Sequence, residues 1–165
     1  MGARRAVRHL FSEGSARRRF PARTLDAIGK AIVEGERRHV GQVMFAVEGA
    51  LPPREVLRGR GAHARAHAAF AHLRVWDTRH NCGVLIYVLL ADHAIEILAD
   101  RGIAAKVPEA EWKSVCTQMQ QRFAAGEFER GAIEGVRAVN AILSRHFPAD
   151  GEPRANELPD RPVML

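Results

Sequence analysis

Apolar residues recur along this chain with two different periods, and the alternation between them predicts the elements. Leu25, Ile28, Ile32 and Val33 follow Thr24 at helical spacing, so a first helix is expected with Thr24 as N-cap, running to about Arg38. Val43, Phe45 and Val47 then alternate with Gln42, Met44 and Ala46, the period of a strand. Leu51-Pro52-Pro53 breaks the chain. A second helix is expected from Arg54 to about Trp76, with Gly59 and Gly61 weakening its start so that it could begin near Ala62. Its apolar residues Ala66, Ala69, Phe70, Leu73 and Trp76 share one face.

Asp77 to Gly83 read as a polar loop. Val84 to Leu90 form an unbroken apolar, branched run, as in a central strand covered on both faces. Ala91-Asp92-His93 is short enough for a tight turn into a return strand, Ala94 to Ala99, giving an antiparallel hairpin. Two helices follow, Glu109 to Ala125 and Phe128 to His146, separated by Gly126. Pro148, Pro153, Pro159 and Pro162 mark an irregular tail over 148–165. The pattern therefore implies an α/β fold, a single central β-sheet with a β-hairpin and helices on both faces. Three strands are evident, with room for a fourth short one, and Val43 to Val47 is the expected edge strand. The division is an arm over residues 1–20, one domain over 21–147 and the tail.

A chain of 165 residues with 47% hydrophobic side chains can form one such core without a covalent staple. The two cysteines, Cys82 and Cys116, do not form a disulfide framework and point to a reducing compartment. No apolar run reaches bilayer-spanning length, and the first residues lack the apolar core of a signal peptide. A cytoplasmic location is expected, with peripheral attachment to the inner membrane. Charge changes the picture most. Between Met1 and Arg23 seven arginines stand against Glu13 alone, a net +6 that equals the charge of the whole chain. The remainder balances. The basic character belongs to the arm, either a solvated extension or a contact for anionic lipid. Nucleic acid is not supported, because no aromatics interleave with the arginines.

The segment Trp76-Asp77-Thr78-Arg79-His80-Asn81-Cys82-Gly83-Val84-Leu85-Ile86 resembles the TPM domain family, with its tryptophan at a helix end, polar loop and Asn-x-Gly before an apolar strand. Ala91-Asp92-His93-Ala94-Ile95-Glu96-Ile97, Gly102 and Phe123-Ala124-Ala125-Gly126-Glu127-Phe128-Glu129-Arg130-Gly131 match the same family. Gly35-Glu36-Arg37-Arg38-His39-Val40-Gly41, Phe45-Ala46-Val47-Glu48 and Asn156-Glu157-Leu158-Pro159-Asp160-Arg161-Pro162 resemble a short bacterial branch with a basic arm. The resemblance implies an α/β sandwich, calcium binding and phosphatase activity, and a LemA-like membrane protein as partner.

Calcium needs six to eight oxygens, and metal-assisted phosphate-ester hydrolysis uses such an ion to neutralise the phosphoryl group. The candidate oxygens are Asp77, Asn81, Asp92 and Asp100; Asp77, Asn81 and Asp100 flank the outer ends of the hairpin and are the catalytic candidates. Asp92 sits at the opposite end. Against the family pattern, Leu98 stands where glutamate is usual, Asp100 replaces glycine, Ala104 replaces glutamate and Glu109 replaces aspartate. The leading expectation is a non-catalytic binding or accessory protein near the bacterial membrane; the alternative is a calcium-dependent phosphatase. His63, His67 and His72 lack a zinc motif. Cys82 beside His80 lacks a third orienting group and reads as core, as does Cys116. Glu36, His39 and Glu48 flank the first helix–strand junction as a polar patch or a capping cluster.

Overall fold

The computed structural model describes residues 2–12 and 14–165. The hairpin pairs β2 (Gly83–Leu89) with β3 (Ala94–Ala99) antiparallel, Ile86 opposite Ile97. The strand β1 (Gln42–Glu48) lies parallel to β2, with Gln42 opposite Gly83 and Glu48 opposite Leu89. A fourth strand, β4 (Val163–Met164), comes from the proline-rich tail and runs parallel to β1. The order β3-β2-β1-β4 makes β1 an internal strand, not the edge its short alternating pattern suggested.

Parallel pairing of β1 and β2 requires a crossover. It is made by α4 (Pro53–Leu57) and α5 (Ala62–His72), two helices where one was expected, parted at the Gly59–Gly61 segment. Helix α5 stops short of Trp76 because Arg74 takes a left-handed φ of 55° and the Val75 N–H returns to the Phe70 carbonyl. Trp76 is consequently half exposed rather than on the buried face. On the opposite side of the sheet lie α3 (Ala22–Glu36), α7 (Glu109–Ala124) and α8 (Phe128–His146). A short α6 (Arg101–Ala104) follows β3. Helix α3 begins two residues before Thr24, at Pro21 as N-cap; the Thr24 hydroxyl instead bonds Glu129.

The sheet separates two cores. Val43, Phe45, Val47, Val84, Ile86 and Val88 face α3, α7 and α8. Met44, Ala46, Leu85, Tyr87 and Leu89 face the crossover helices. Every residue of β1 and β2 is buried, so the period-two signal in β1 distinguishes two apolar layers and not core from solvent.

The arginine-rich segment is not a solvated extension. It forms α1 (Gly2–Ser12) and α2 (Ser15–Arg19), and α1 packs on α4 over the crossover core. His9 on α1 is buried; its Nδ1 accepts the Leu51 N–H at 2.8 Å, and its Nε2 lies 3.0 Å from Asp92. Phe20 closes the other core against Phe45, Phe123 and Phe128. No helix is long and apolar enough to cross a membrane among the described residues.

Candidate functional site

The loop before β2 and the turn after β3 do meet, as a hairpin requires. Asp100 is the N-cap of α6, its Oδ1 accepting the Arg101 N–H at 2.8 Å, while its own N–H bonds the Gly83 carbonyl. Asn81 has a left-handed φ of 52° and its carbonyl accepts the Gly102 N–H at 3.1 Å. The approach needs glycine: a Cβ on Gly102 would lie 2.6 Å from that carbonyl oxygen. The space between Asn81 and Asp100 is claimed by Arg101, whose guanidinium donates to Asn81 Oδ1 at 3.0 Å.

The other two candidates lie apart. Asp77 is half exposed and paired with Arg74. Asp92 sits in the hairpin turn, gripped by Arg5 at 2.7 Å and by His9, with Arg8 at 3.5 Å. Burial works to raise the Asp92 carboxyl, but the Arg5 guanidinium and His9 outweigh it and hold it below its ordinary range. These donors do not fit a calcium ion. One is dispersed to the far end of the hairpin, two are engaged by arginines, and Leu98 and Ala104 supply no side-chain oxygen. Among the described residues, no three His, Cys, Asp or Glu side chains are grouped to hold a metal.

The remaining nucleophile and ligand candidates lie on α5, before β2 and on α7. His63 and His67 do share a face of α5, with ring nitrogens 3.2 Å apart, and Glu96 bonds His63 at 3.0 Å. Burial pushes the Cys82 thiol up, and pushes Cys116 up to about 11, with the nearby Glu96 charge adding to it. Neither is primed as a thiolate.

The polar groups with unusual environments lie at the two ends of β1, and Glu48 is a strand length away from Glu36 and His39 rather than in one patch with them. At the carboxyl end, Glu48 is 3% exposed. Arg65 of α5 clasps it through two nitrogens, at 2.8 and 2.9 Å, and the Tyr87 hydroxyl donates to it at 2.5 Å. Burial first, then the hydrogen bond to Glu48 and its charge, drives the Tyr87 hydroxyl far above its ordinary range. Beside this trio a crevice of about 770 Å³ opens between α1, α4 and β4, lined by Leu10, Leu51, Val56, Leu57 and Leu165.

At the amino end, Gln42 Oε1 accepts the backbone N–H groups of Glu157 and Leu158 at 2.9 and 3.2 Å, drawing the tail across the sheet. This brings Asp160 to Glu36. The Glu36 carboxylate accepts the Val43 N–H at 2.7 Å and has no basic partner among the described residues. Burial pushes it up to about 7; the Val43 bond opposes this and the Asp160 charge adds to it. His39 is buried on Asn140, Nε2 to Oδ1 2.9 Å, and burial lowers its imidazole against the opposing pull of Asn140 and the Gly41 backbone. Glu36, His39, Gln42, Asn156 and Asp160 line a cavity of about 480 Å³. Sequence patterning flagged Glu36 and His39 but missed Asp160, Arg65 and Tyr87. The available signal was a fully apolar strand bracketed by two polar residues, Gln42 and Glu48, which must each find a partner once buried.

Comparison with known proteins agrees with this architecture. The NMR structure of the BA42 protein from the psychrophilic bacterium Bizionia argentinensis sp. nov. superposes with a TM-score of 0.76 at 26% identity, covering 87% of this chain and 94% of that one. No curated protein matches the chain. Residues 19–142 match the TPM domain. That span takes in α3 through most of α8, including the loop and hairpin, and so the chain belongs to the TPM domain family.

Proposed function

We propose that this chain is a non-catalytic TPM-family binding module that attaches peripherally to an anionic membrane surface through α1, α2 and α4. One observation carries the reading: apolar side chains stand exposed within the densest arginine cluster of the molecule. Val7, Leu10 and Leu57 are 51%, 66% and 80% exposed. Arg4 and Arg8 share the outer face of α1 with Val7 and Leu10, and Arg17 and Arg18 follow on α2. Asp92 neutralises Arg5 on the inner face and so fixes the helix on the domain with its outer face outward. An apolar strip flanked by arginines is the pattern of an interfacial helix. Each arginine near an anionic surface adds about 1 kcal/mol. A LemA-like membrane protein would meet the module on the same side.

The alternative, calcium-dependent phosphate-ester hydrolysis, lacks a donor set of the needed geometry, since Arg101 and Arg74 hold the oxygens it would use. Vesicle flotation tests the proposal. Binding is expected to phosphatidylglycerol-containing vesicles, absent with phosphatidylcholine alone, and weakened by salt and by Leu10→Asp or Leu57→Asp. Equal binding to both vesicles, or none to either, overturns the membrane reading. A melting point raised by millimolar calcium, with turnover of a phosphate ester, overturns the non-catalytic one.

A further inference from the structure

Helix α5 carries two histidines four residues apart, and their rings meet. Residues at that spacing stand one above the other on a helix face. His63 and His67 are both exposed, yet their Nε2 atoms lie only 3.2 Å apart. The ring centroids are 4.7 Å apart and the rings are inclined by 79°. Two rings meeting end to end would hold their centroids apart by the nitrogen separation plus a ring radius on each side. The observed separation is shorter than that, so the pair is bent and not aligned along one straight bond. His72, five residues beyond His67, falls on another face of the helix.

A second element holds the pair. Glu96 comes from β3, the strand at the sheet edge, and its carboxylate accepts from His63 Nδ1 at 3.0 Å. That bond places the His63 proton on Nδ1 and leaves Nε2 as a lone pair. In the neutral pair, His67 then shares its own Nε2 proton with His63. Such a bond adds little stability at an exposed site, because water offers both rings equivalent partners. A metal-ligating histidine gives its second ring N–H to a carboxylate, which sets its tautomer and orientation. Glu96 stands in that relation to His63, its one salt-bridge partner among the described residues. Glu109 lies within electrostatic reach of His63 but is paired with Lys113 at 2.8 Å, so the local charge is set by Glu96.

An imidazole nitrogen sits about 2.0–2.1 Å from zinc, and two of them on a tetrahedral ion lie about 3.3 Å apart. The 3.2 Å between the two Nε2 atoms is already that spacing. Calcium and magnesium take oxygen ligands and do not match a nitrogen pair. We propose that His63 and His67 form a zinc-binding site, with Glu96 as the positioning residue behind His63. Zinc takes the place of the proton between the rings, and His67 binds as its Nδ1–H tautomer. Two protein ligands leave two tetrahedral positions to water, so the site does not require a third grouped side chain, which the described residues do not supply. The site uses none of the membrane-facing residues.

NMR titration of the full chain with zinc chloride tests it, read on the ring protons of the eight histidines. His63 and His67 should shift together, at lower zinc than the other exposed histidines His72, His80 and His93. Magnesium chloride at the same concentration should leave the pair unmoved. His63→Ala and His67→Ala should each abolish the joint shift. Glu96→Gln keeps both zinc ligands and should weaken binding by about 10–100-fold, the worth of a carboxylate behind a ligating histidine. An unaltered amide spectrum away from the substitution identifies the folded variants. No response of the pair at millimolar zinc, an equal response of all the exposed histidines, or an affinity unchanged in any of the three folded variants overturns the site.

Discussion

A glutamate stands at each end of β1, half-buried Glu36 at the end of α3 and buried Glu48 in the strand itself, and the fold treats the two in opposite ways. At the carboxyl end Glu48 is enclosed by two Arg65 nitrogens and the Tyr87 hydroxyl, so its charge is met within the fold. At the amino end Glu36 has one backbone N–H and faces a second acid, Asp160. A buried charge is tolerable when paired and costly when not. The first arrangement therefore belongs to structure: it ties the crossover helix α5 to β1 and β2. The second is left to a proton: burial raises the Glu36 carboxyl to about 7, so its charge is costly only above that pH.

Removing the cation from the satisfied end gives the largest expected effect. Arg65→Met leaves Glu48 buried with Tyr87 alone and should destabilise by about 3–5 kcal/mol, measured by urea unfolding. Glu48→Gln added to Arg65→Met should recover most of that loss. A single-variant loss below about 1 kcal/mol would show that water reaches Glu48, and the contrast between the ends would collapse.

The amino end predicts a pH dependence instead. Glu36 holds its proton more tightly folded than unfolded, its carboxyl rising from 4.5 to about 7. The stability it contributes is complete below 4.5 and is lost as pH rises through about 7. That difference corresponds to on the order of 3 kcal/mol. Glu36→Gln should flatten this slope and leave the variant more stable than the parent at pH 8. Melting curves across that window check it; a parent whose stability rises with pH there contradicts an unpaired Glu36.

Packing behind His39 sets a smaller effect. A Cβ on Gly35 would lie 1.8 Å from Asn140 Nδ2, so only glycine lets α3 and α8 close around the Asn140–His39 pair. Gly35→Ala should cost about 1–3 kcal/mol by overpacking and shift the His39 ring resonances. An unshifted ring would mean that Asn140 does not position His39.

How much of this was legible follows from sequence separation. The hairpin could be read because its signal is local: an unbroken apolar run, a three-residue turn and a second run. The meeting of Asn81 and Asp100 follows from the same hairpin, though not the arginine next door that occupies the space between them. Strand β4 could not be read, because two residues in a proline-rich tail become a strand only when β1 offers them an edge. Nor could α1: its arginines suggested solvent, while its anchors, Leu51 and Asp92, lie far along the chain. The family resemblance located the loop that names the fold. Glu48 and Glu36 are set apart by Arg65 and Asp160, neighbours brought in by the crossover and the tail.

Asp77 supplies the smallest expected effect and guards the comparison from the other side. It lies at neither end of β1, paired with Arg74, the two side chains 48% and 68% exposed. Solvent screens such a pair, and holding two mobile side chains together offsets the attraction. Asp77→Ala should therefore change stability by no more than about 0.5 kcal/mol, with no change in the response of the melting point to calcium. A loss several times larger would mean that the loop before β2 carries an interaction of its own. The weight now given to Glu36 and Asp160 would then have to be shared with the residues that the sequence first brought forward.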